Sequence, residues 1–292
     1  MSSATVVVLS AGTSPFLHRV LRAALANRPG PAAVRLIWSG HDPIPSDLPP
    51  GVETVTVEPS AFDHGATRQF ALEQCVTELL VFLSDDAEPI GDAWLSRLTA
   101  PFSDAAVAAA YGRQVPRPET GIAERVFRTS RYPARSRLIT SEAVGREGES
   151  ALPISNANSA YRVGALRSLG GFPRPCSYGE DLAVAMAALR EAWRIHYVAD
   201  AEVWHSHHLT VAGLFRRARS AGSLAREARE GGIRTGLRRS ASGGRQLVRN
   251  MIRAGWRDYR LRGVIAAAWV SAVRALGYLS GRMGWRSNPS PR

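Results

Sequence analysis

The chain has 292 residues, and its 45% hydrophobic content is enough to bury a core in one large domain or two modest ones. The net charge is +12, and all 37 basic residues are arginine. Residues 1–211 carry 19 arginines against 22 acidic residues, whereas residues 212–292 carry 18 arginines against three. This distribution argues against a uniformly basic DNA-binding domain and predicts a near-neutral body with a basic extension.

Cysteine usage and hydropathy restrict the compartment. Cys75 and Cys176 cannot form a disulfide scaffold and lack zinc-site spacing, so the sequence predicts a protein of a reducing compartment, the cytoplasm. No basic residue precedes the first apolar run, which is too short for a signal peptide. The longest apolar stretch, Gly263–Val273, ends at Arg274, and we therefore predict no membrane-spanning helix.

Strands and helices alternate through the first 85 residues. Ser14-Pro15 is a predicted helix start, and the helix ends at Asn27–Gly30. The sequence predicts strands over four apolar runs, 5–9, 34–38, 52–57 and 79–83, and a further helix over 65–73. The alternation predicts an α/β fold with an open, mostly parallel sheet and helices on its faces, in which ligands bind at the carboxyl ends of strands.

The remaining pattern is less regular. The sequence predicts helices over 92–98, 122–131, 163–169 and 180–193, strands over 107–111, 195–198 and 201–204, and a mobile loop over 135–153. After Val211, apolar residues recur every three or four positions among arginines, which predicts basic amphipathic helices. The glycine-rich segment Ser240–Gly244 is a predicted hinge between them.

Two acidic motifs are candidates for chemistry. Asp85 and Asp86 follow the fourth strand directly, and carboxylates in that position suit Mg²⁺ or Mn²⁺ bound with a diphosphate. The alternative is a pair of solvated loop acids. Glu180 and Asp181 begin a helix, where a carboxylate could accept a proton from a hydroxyl group. A plain helix cap is the alternative.

Three further clusters contain histidine, arginine or small polar residues. His205, His207 and His208 follow a short strand and are candidate metal ligands, the alternative being surface histidines. His64 and Arg68 flank Gly65 and could bind a phosphate or a nucleobase. The alternative is that this segment only starts a helix. The segment Ser155–Arg162 is a candidate ligand-facing stretch or a plain turn.

The order of these motifs carries more information than any one of them. FDHGATRQ, FLSDDAEP, YGRQ, SNANSAYR, LGGF, YGEDL and HSHHLT follow one another over about residues 4–211. This succession resembles the family 2 inverting glycosyltransferases, particularly their bacterial rhamnosyltransferase-like branch. The resemblance implies a GT-A fold over residues 1–211, which binds a nucleotide sugar, with residues 212–292 as a basic amphipathic helical C-terminal extension.

The resemblance also implies roles for individual residues. The family's Asp-x-Asp motif matches Ser84-Asp85-Asp86, which leaves Asp86 as the expected ligand of Mg²⁺ or Mn²⁺, with His205 and then His207 completing the site. Asp181 matches the catalytic base. The other expected contacts are Ser10, Gly12, His64, Arg68, Ser84 and Asp85 to the donor nucleotide, and Arg113, Asn156, Arg162 and Glu180 in the acceptor and diphosphate region.

The function implied is transfer of a sugar from a nucleotide-diphosphate donor, with dTDP-rhamnose favoured, to a glycan, a lipid-linked acceptor or a small molecule. Two alternatives remain: a nucleotidyltransferase, and a non-catalytic scaffold with a decayed transferase body. The segment Ser10–Thr13 is a poor match to a nucleotidyltransferase loop, whereas Ser84 in the metal motif slightly favours the scaffold. The extension suits the anionic inner face of a membrane better than nucleic acid, for which the sequence has no recognised module. The alternative is that its helices pack on the body or form an oligomer interface, with the arginines in solvent.

Overall fold

The computed structural model describes residues 3–12, 14–147, 154–176, 178–207, 210–230 and 240–284. The chain divides into two compact units. The first comprises Met1–Pro118, Arg131–Val144 and Ala151–Ser206, and the second comprises Glu119–Ser130, Gly145–Ser150 and His207–Arg292.

A mixed sheet forms the centre of the first unit. Its strands within the described residues are β1 (Ala4–Ser10), β2 (Ala33–Trp38), β3 (Val52–Thr56), β4 (Leu79–Ser84), β5 (Glu88–Pro89), β6 (Val107–Val115), β7 (Arg137–Ile139), β8 (Asn158–Arg162) and β9 (Arg194–Trp204). The order is β3-β2-β1-β4-β8-β6-β9-β5, and β7 pairs with β9. The first four strands in this order are parallel, whereas β8 runs antiparallel to both β4 and β6.

Helices cover both faces of this sheet. One face packs on α1 (Leu17–Leu25) and α3 (Trp94–Thr99), and the other on α2 (His64–Glu73), α6 (Val163–Ser168) and α7 (Glu180–Arg190). All seven residues of β1 are buried. Two-sided burial explains why β1 is an uninterrupted apolar run rather than an alternating one.

The second unit is helical. It contains most of α4 (Ile122–Arg131), together with α8 (Val211–Glu230) and α9 (Ser240–Arg282), and α5 (Ser141–Glu147) lies across the boundary between the two units. Arg260 interrupts α9 with a φ of 53°, which divides it into a first arm (240–259) and a second arm (261–282). The backbones of the arms touch at Gly255 and Gly263, since a Cβ on Gly263 would lie 2.1 Å from the carbonyl oxygen of Gly255.

The structure confirms most predicted elements and corrects several. The predicted loop over 135–153 contains β7 and α5 in its described part. The two short strands predicted over 195–198 and 201–204 are one strand, β9. An irregularity in its pairing with β6, between Gly112 and Arg113, separates the two halves and mimics a break.

Two further predictions were wrong. Ser14-Pro15 does not start α1, which begins at Leu17; the Ser14 hydroxyl instead donates to the carbonyl of Asp85 at 2.9 Å. The predicted hinge at Ser240–Gly244 is the first turn of α9, whose break lies at Arg260.

One described helical stretch, Gly244–Arg282, is long and apolar enough to cross a membrane by length and composition, although its longest uninterrupted apolar run is short.

Candidate active site

One edge of the sheet brings most of the predicted polar residues together. The carboxyl end of β4 leads into Ser84, Asp85 and Asp86, and β8 pairs with β4 in antiparallel register, Leu83 opposite Asn158. The amino end of β8 therefore lies at the same edge, directly after Asn156. This arrangement places both acidic motifs beside one another, because Asn156 in turn contacts Asp181.

The two aspartates after β4 have different partners. The Ser10 hydroxyl donates to Asp85 Oδ2 at 2.5 Å, and the Ser84 hydroxyl donates to Asp86 Oδ1 at 2.8 Å. Burial, with a smaller contribution from Asp86, raises the pKa of Asp85 to about 6. Asp85 is therefore held against β1, while Asp86 is directed towards β9.

His205 meets Asp86 from the end of β9. Its side chain is buried, its Nε2 lies 3.2 Å from Asp86 Oδ1, and its Nδ1 lies 2.9 Å from Gln114 Oε1. An amide oxygen can only accept, so Nδ1 carries the ring proton when this contact is a hydrogen bond and Nε2 has its lone pair. The tautomer is then the one in which Nε2 can bind a metal.

A carboxylate oxygen and an imidazole nitrogen at this spacing fit a divalent cation of the Mn²⁺ or Mg²⁺ type. Asp86 and His205 supply these two atoms, and Gln114 orients the ring from behind. Two protein ligands leave coordination positions for diphosphate oxygens and water, which is usual where a metal ion and a nucleotide bind together.

Asp181 lies at the start of α7, next to Glu180. The backbone N–H of Asn156 donates to Asp181 Oδ2 at 3.3 Å, and that of Leu182 donates to Oδ1 at 2.7 Å. Burial, together with the neighbouring Glu180 carboxylate, raises the pKa of Asp181 to about 6. A carboxyl with this pKa can accept a proton near neutral pH.

A buried polar network holds Asp181 in place. Arg68 on α2 forms an ion pair with Glu180 at 3.0 Å, and Asn156 Nδ2 donates to the same Glu180 oxygen at 3.0 Å. The Tyr161 hydroxyl donates to Asn156 Oδ1 at 2.7 Å. His64 Nδ1 lies 3.1 Å from Arg68 Nη1. Burial is the main cause that lowers the pKa of His64, and the charge of Arg68 is the second. The predicted donor residues His64 and Arg68 thus belong to the network that holds Asp181.

Gly12 adopts a φ of 82° at the end of β1, where its backbone N–H donates to the Ser10 hydroxyl at 3.0 Å. A Cβ on Gly12 would lie 2.8 Å from the Trp38 ring, so only glycine fits against that indole without a shift. The Trp38 Nε1–H donates to the carbonyl of Asp42. Gly12 and Trp38 therefore line the carboxyl ends of two adjacent strands, where a nucleotide would bind in such a sheet.

Several predicted residues do not join this cluster. Arg162 is paired with Leu79 at the opposite end of β4, and its guanidinium donates to the carbonyls of Val107, Phe102 and Asp104. This position does not support its predicted place facing donor and acceptor, because Arg162 and Asn158 lie at opposite ends of β8 with three residues between them. Arg113 forms an ion pair with Glu202 at 2.6 Å.

The other predicted histidines fall outside the first unit. His207 begins the second unit, and its backbone N–H donates to Glu124 Oε1 at 3.4 Å. Its role as a further metal ligand stays a prediction. His208 lies outside the described residues.

Two residues beside the site were not predicted from the sequence: Arg117, and Gln114, which contacts the His205 ring. Buried Arg117 stacks 3.7 Å from the centroid of the Phe16 ring, pairs with Glu88 at 3.0 Å and donates to the carbonyl of Asp86 at 3.1 Å. It places a fixed cation directly behind the metal motif. The sequence did contain a clue to Arg117. Because the chain has no lysine, a lysine or arginine that faces a diphosphate must be an arginine, and Arg117 follows a strand end.

Comparison with known families gives a match over most of the chain. The profile of the family described as glycosyltransferase like family 2 matches residues 2–223. The O-antigen chain rhamnosyltransferase WbaN of Salmonella anatum is 31% identical over 164 residues, which cover 56% of this chain and 52% of WbaN. The chain thus spans about half the length of this curated relative.

Solved structures share the fold at low sequence identity. The mannosyltransferase PcManGT of Pyrobaculum calidifontis, in complex with GDP-Man and Mn²⁺, is 16% identical with a TM-score of 0.64, covering 98% of this chain and 88% of that one. Residues 1–349 of TarS from S. aureus, in complex with UDP-GlcNAc, are 14% identical with a TM-score of 0.52, covering 97% and 93%. Both support the same α/β architecture.

Proposed function

The chain belongs to glycosyltransferase like family 2, and from this premise we propose that it transfers a sugar from a nucleotide-diphosphate donor to an acceptor hydroxyl with inversion at the anomeric carbon. The observation that carries the proposal is the meeting of two sites at one sheet edge: Asp86 with His205, and Asp181 held by Asn156. The first suits a metal-bound diphosphate and the second suits a base.

Asp181 is the proposed base. The acceptor hydroxyl loses its proton to an Asp181 carboxylate oxygen while its own oxygen forms the new bond to the anomeric carbon. The bond from that carbon to the diphosphate oxygen breaks, and the nucleoside diphosphate leaves with the electron pair. A single displacement requires one base, unlike glycoside hydrolysis, which uses two carboxyl groups in distinct roles.

Asp86 and His205, with His207 as a further candidate, would hold the divalent cation. When bound, such an ion neutralises the charge that develops on the leaving diphosphate. Arg117 contributes a second positive charge through its contact with the Asp86 carbonyl. Ser10, Gly12 and Asp85 are proposed to line the nucleotide pocket, while Arg68 and Glu180 keep Asp181 in position rather than touch the donor.

Rhamnose is the proposed sugar, because the relative WbaN is named as an O-antigen chain rhamnosyltransferase. The acceptor is proposed to be a glycan, a lipid-linked glycan or a small molecule, and the protein is proposed to act in the cytoplasm. Two free cysteines, Cys75 and Cys176, are compatible with that compartment.

A donor hydrolysis screen tests this proposal without knowledge of the acceptor. Full-length protein is incubated with dTDP-rhamnose, GDP-mannose, UDP-glucose or UDP-GlcNAc, with and without Mn²⁺ or Mg²⁺, and the release of nucleoside diphosphate is measured. We expect slow, metal-dependent release, fastest from dTDP-rhamnose. Nucleotide binding without release from any donor would favour the scaffold, whereas pyrophosphate exchange with a nucleoside triphosphate would favour a nucleotidyltransferase.

A further inference from the structure

The two arms of α9 expose an apolar surface in the second unit. Ile252 and Trp256 are exposed on the first arm, and Trp256 is 54% accessible. The second arm and the residue that follows it expose six large apolar side chains, here called the apolar stripe: Leu261, Ile265, Trp269, Leu276, Leu279 and Met283. At about 100° per residue these six side chains fall within roughly 80° of the helix circumference. The stripe is therefore one continuous face.

The opposite face of the second arm is packed. Gly263, Ala267, Val270, Gly277 and Gly281 are buried, and Cβ atoms on Gly277 and Gly281 would meet the backbone of α8. Arg274 lies 4.8 Å from the centroid of the Phe127 ring on α4. The helix is thus fixed to its own unit on one side, which suits a helix lying on a surface better than one that spans it.

Charge decides which surface fits. Residues 240–284 contain eight arginines and one acidic residue, Asp258. Arg245, Arg249 and Arg253 are exposed on the first arm along the same side as Ile252 and Trp256. Two copies joined through this face would bring these like charges together, which opposes self-association. Nucleic acid would offer little to a stripe of leucine and isoleucine.

We propose that α9 docks on the surface of an anionic lipid bilayer, with the apolar stripe at the level of the acyl chains and the arginines of the first arm among the lipid headgroups. Tryptophan, leucine and arginine on the outer faces of two packed helices match the composition of interfacial helices. The proposal rests on the second unit alone and does not depend on the sugar transferred.

The test is binding of the full chain to vesicles of phosphatidylcholine with or without about 30% phosphatidylglycerol. The double variant Ile265→Asp/Leu276→Asp should reduce binding to anionic vesicles at least about tenfold, because each aspartate would enter the interface. Arg249→Gln/Arg253→Gln should also reduce it, by about fivefold for each charge. The matched control is Val76→Asp/Leu138→Asp, which places the same charges on exposed positions of the first unit and should bind as the parent does.

Circular dichroism and thermal unfolding establish that each variant is folded, and size measurement in solution without lipid reports self-association. If the aspartate variant fails to fold, quenching of Trp269 by brominated lipid, with Trp269→Phe as reference, gives the same information. Binding that is equal for neutral and anionic vesicles, or unchanged in the stripe variant, overturns the proposal. The proposal is also overturned if the parent forms a dimer, the Ile265→Asp/Leu276→Asp substitutions dissociate that dimer, and the parent does not bind vesicles.

Discussion

Asp181 combines two features that oppose one another. Its position at the start of α7 and two backbone N–H donors favour the ionised form, while burial and the adjacent Glu180 carboxylate disfavour it. Arg68 offsets part of the repulsion by pairing with Glu180. The net effect is a raised pKa, which makes the carboxylate a stronger base than an exposed aspartate while leaving it ionised at neutral pH.

Replacement of Asp181 by Asn should keep the shape of the side chain and remove its ability to accept a proton. We expect kcat to fall at least about a hundredfold, the usual contribution of a general base, with donor affinity little changed. Steady-state kinetics and calorimetric titration of the nucleoside diphosphate measure the two effects. Asp104→Asn, at an exposed site, is the control and should leave both unchanged. A loss of donor affinity with kcat preserved would make Asp181 a binding residue.

The same substitution gives a pH signature. The folded carboxyl keeps its proton up to about pH 6, whereas in the unfolded chain it is released near 3.8. Ionisation therefore costs stability, and the free energy of unfolding of the parent should fall relative to that of Asp181→Asn as pH rises from about 4 to 6. Activity of the parent should instead rise over the upper part of that range. A stability difference that is flat with pH would contradict the raised pKa.

At the scale of elements, prediction from sequence succeeded where hydrophobicity dictates the structure. β1 and β4 are uninterrupted apolar runs because the sheet buries them on both faces. β8 was not predicted, because its first two residues, Asn158 and Ser159, are polar. Both are fully buried, and hydrogen bonds rather than apolar contacts stabilise them there. Asn158 donates to the carbonyl of Ala201 and accepts from Trp94, a long-range arrangement that no local pattern reveals.

The candidate site shows the same division. Asp86, Asp181 and His205 could be predicted because each follows a strand or begins a helix within a motif. Gln114 and Arg117 could not, because their roles depend on the parallel pairing of β6 with β9, which brings Gln114 opposite Val203 and next to His205. The candidate metal ligands and the candidate base were visible in the sequence, while Gln114 and Arg117, which contact these groups, emerged only from the topology.

The helical hairpin of α9 depends on a backbone contact, and this can be tested with alanine at two glycines. Gly263→Ala places a methyl group about 2 Å from the Gly255 carbonyl oxygen, so the arms must separate and the second unit should lose about 1–3 kcal/mol of stability. Gly244→Ala is the matched control, because nothing lies within 4 Å of its Cβ and the better helix former should be neutral or slightly stabilising. Hydrogen exchange over residues 240–284 measures both. Equal protection in the two variants would contradict the close packing of the arms.

Across the whole molecule, positive charge is concentrated in residues 212–292 rather than in residues 1–211. Residues 1–211 are slightly acidic, and the candidate diphosphate site contains Asp85, Asp86 and Glu88. Among the described residues, Arg117 and Arg19 both pair with Glu88, at 3.0 and 2.9 Å, so three carboxylates face two guanidinium groups. An approaching nucleoside diphosphate would therefore meet net negative charge. It follows that a divalent cation and the nucleotide should each raise the affinity for the other, since such coupling is reciprocal.

This coupling should appear in the thermal stability of the whole protein. A ligand that binds only the folded state stabilises it by about 2.7 kcal/mol at a hundred times its Kd. Because Mn²⁺ and dTDP each raise the affinity for the other, the two together should raise Tm by more than the sum of their separate effects. Asp86→Ala should abolish the response to Mn²⁺, because it removes the carboxylate that faces His205, and Asp85→Ala should reduce it less. Asp47→Ala, whose side chain is 77% exposed, is the control and should respond as the parent does. If Asp86→Ala keeps the full synergistic shift, the metal is bound elsewhere and the assignment of Asp86 and His205 fails.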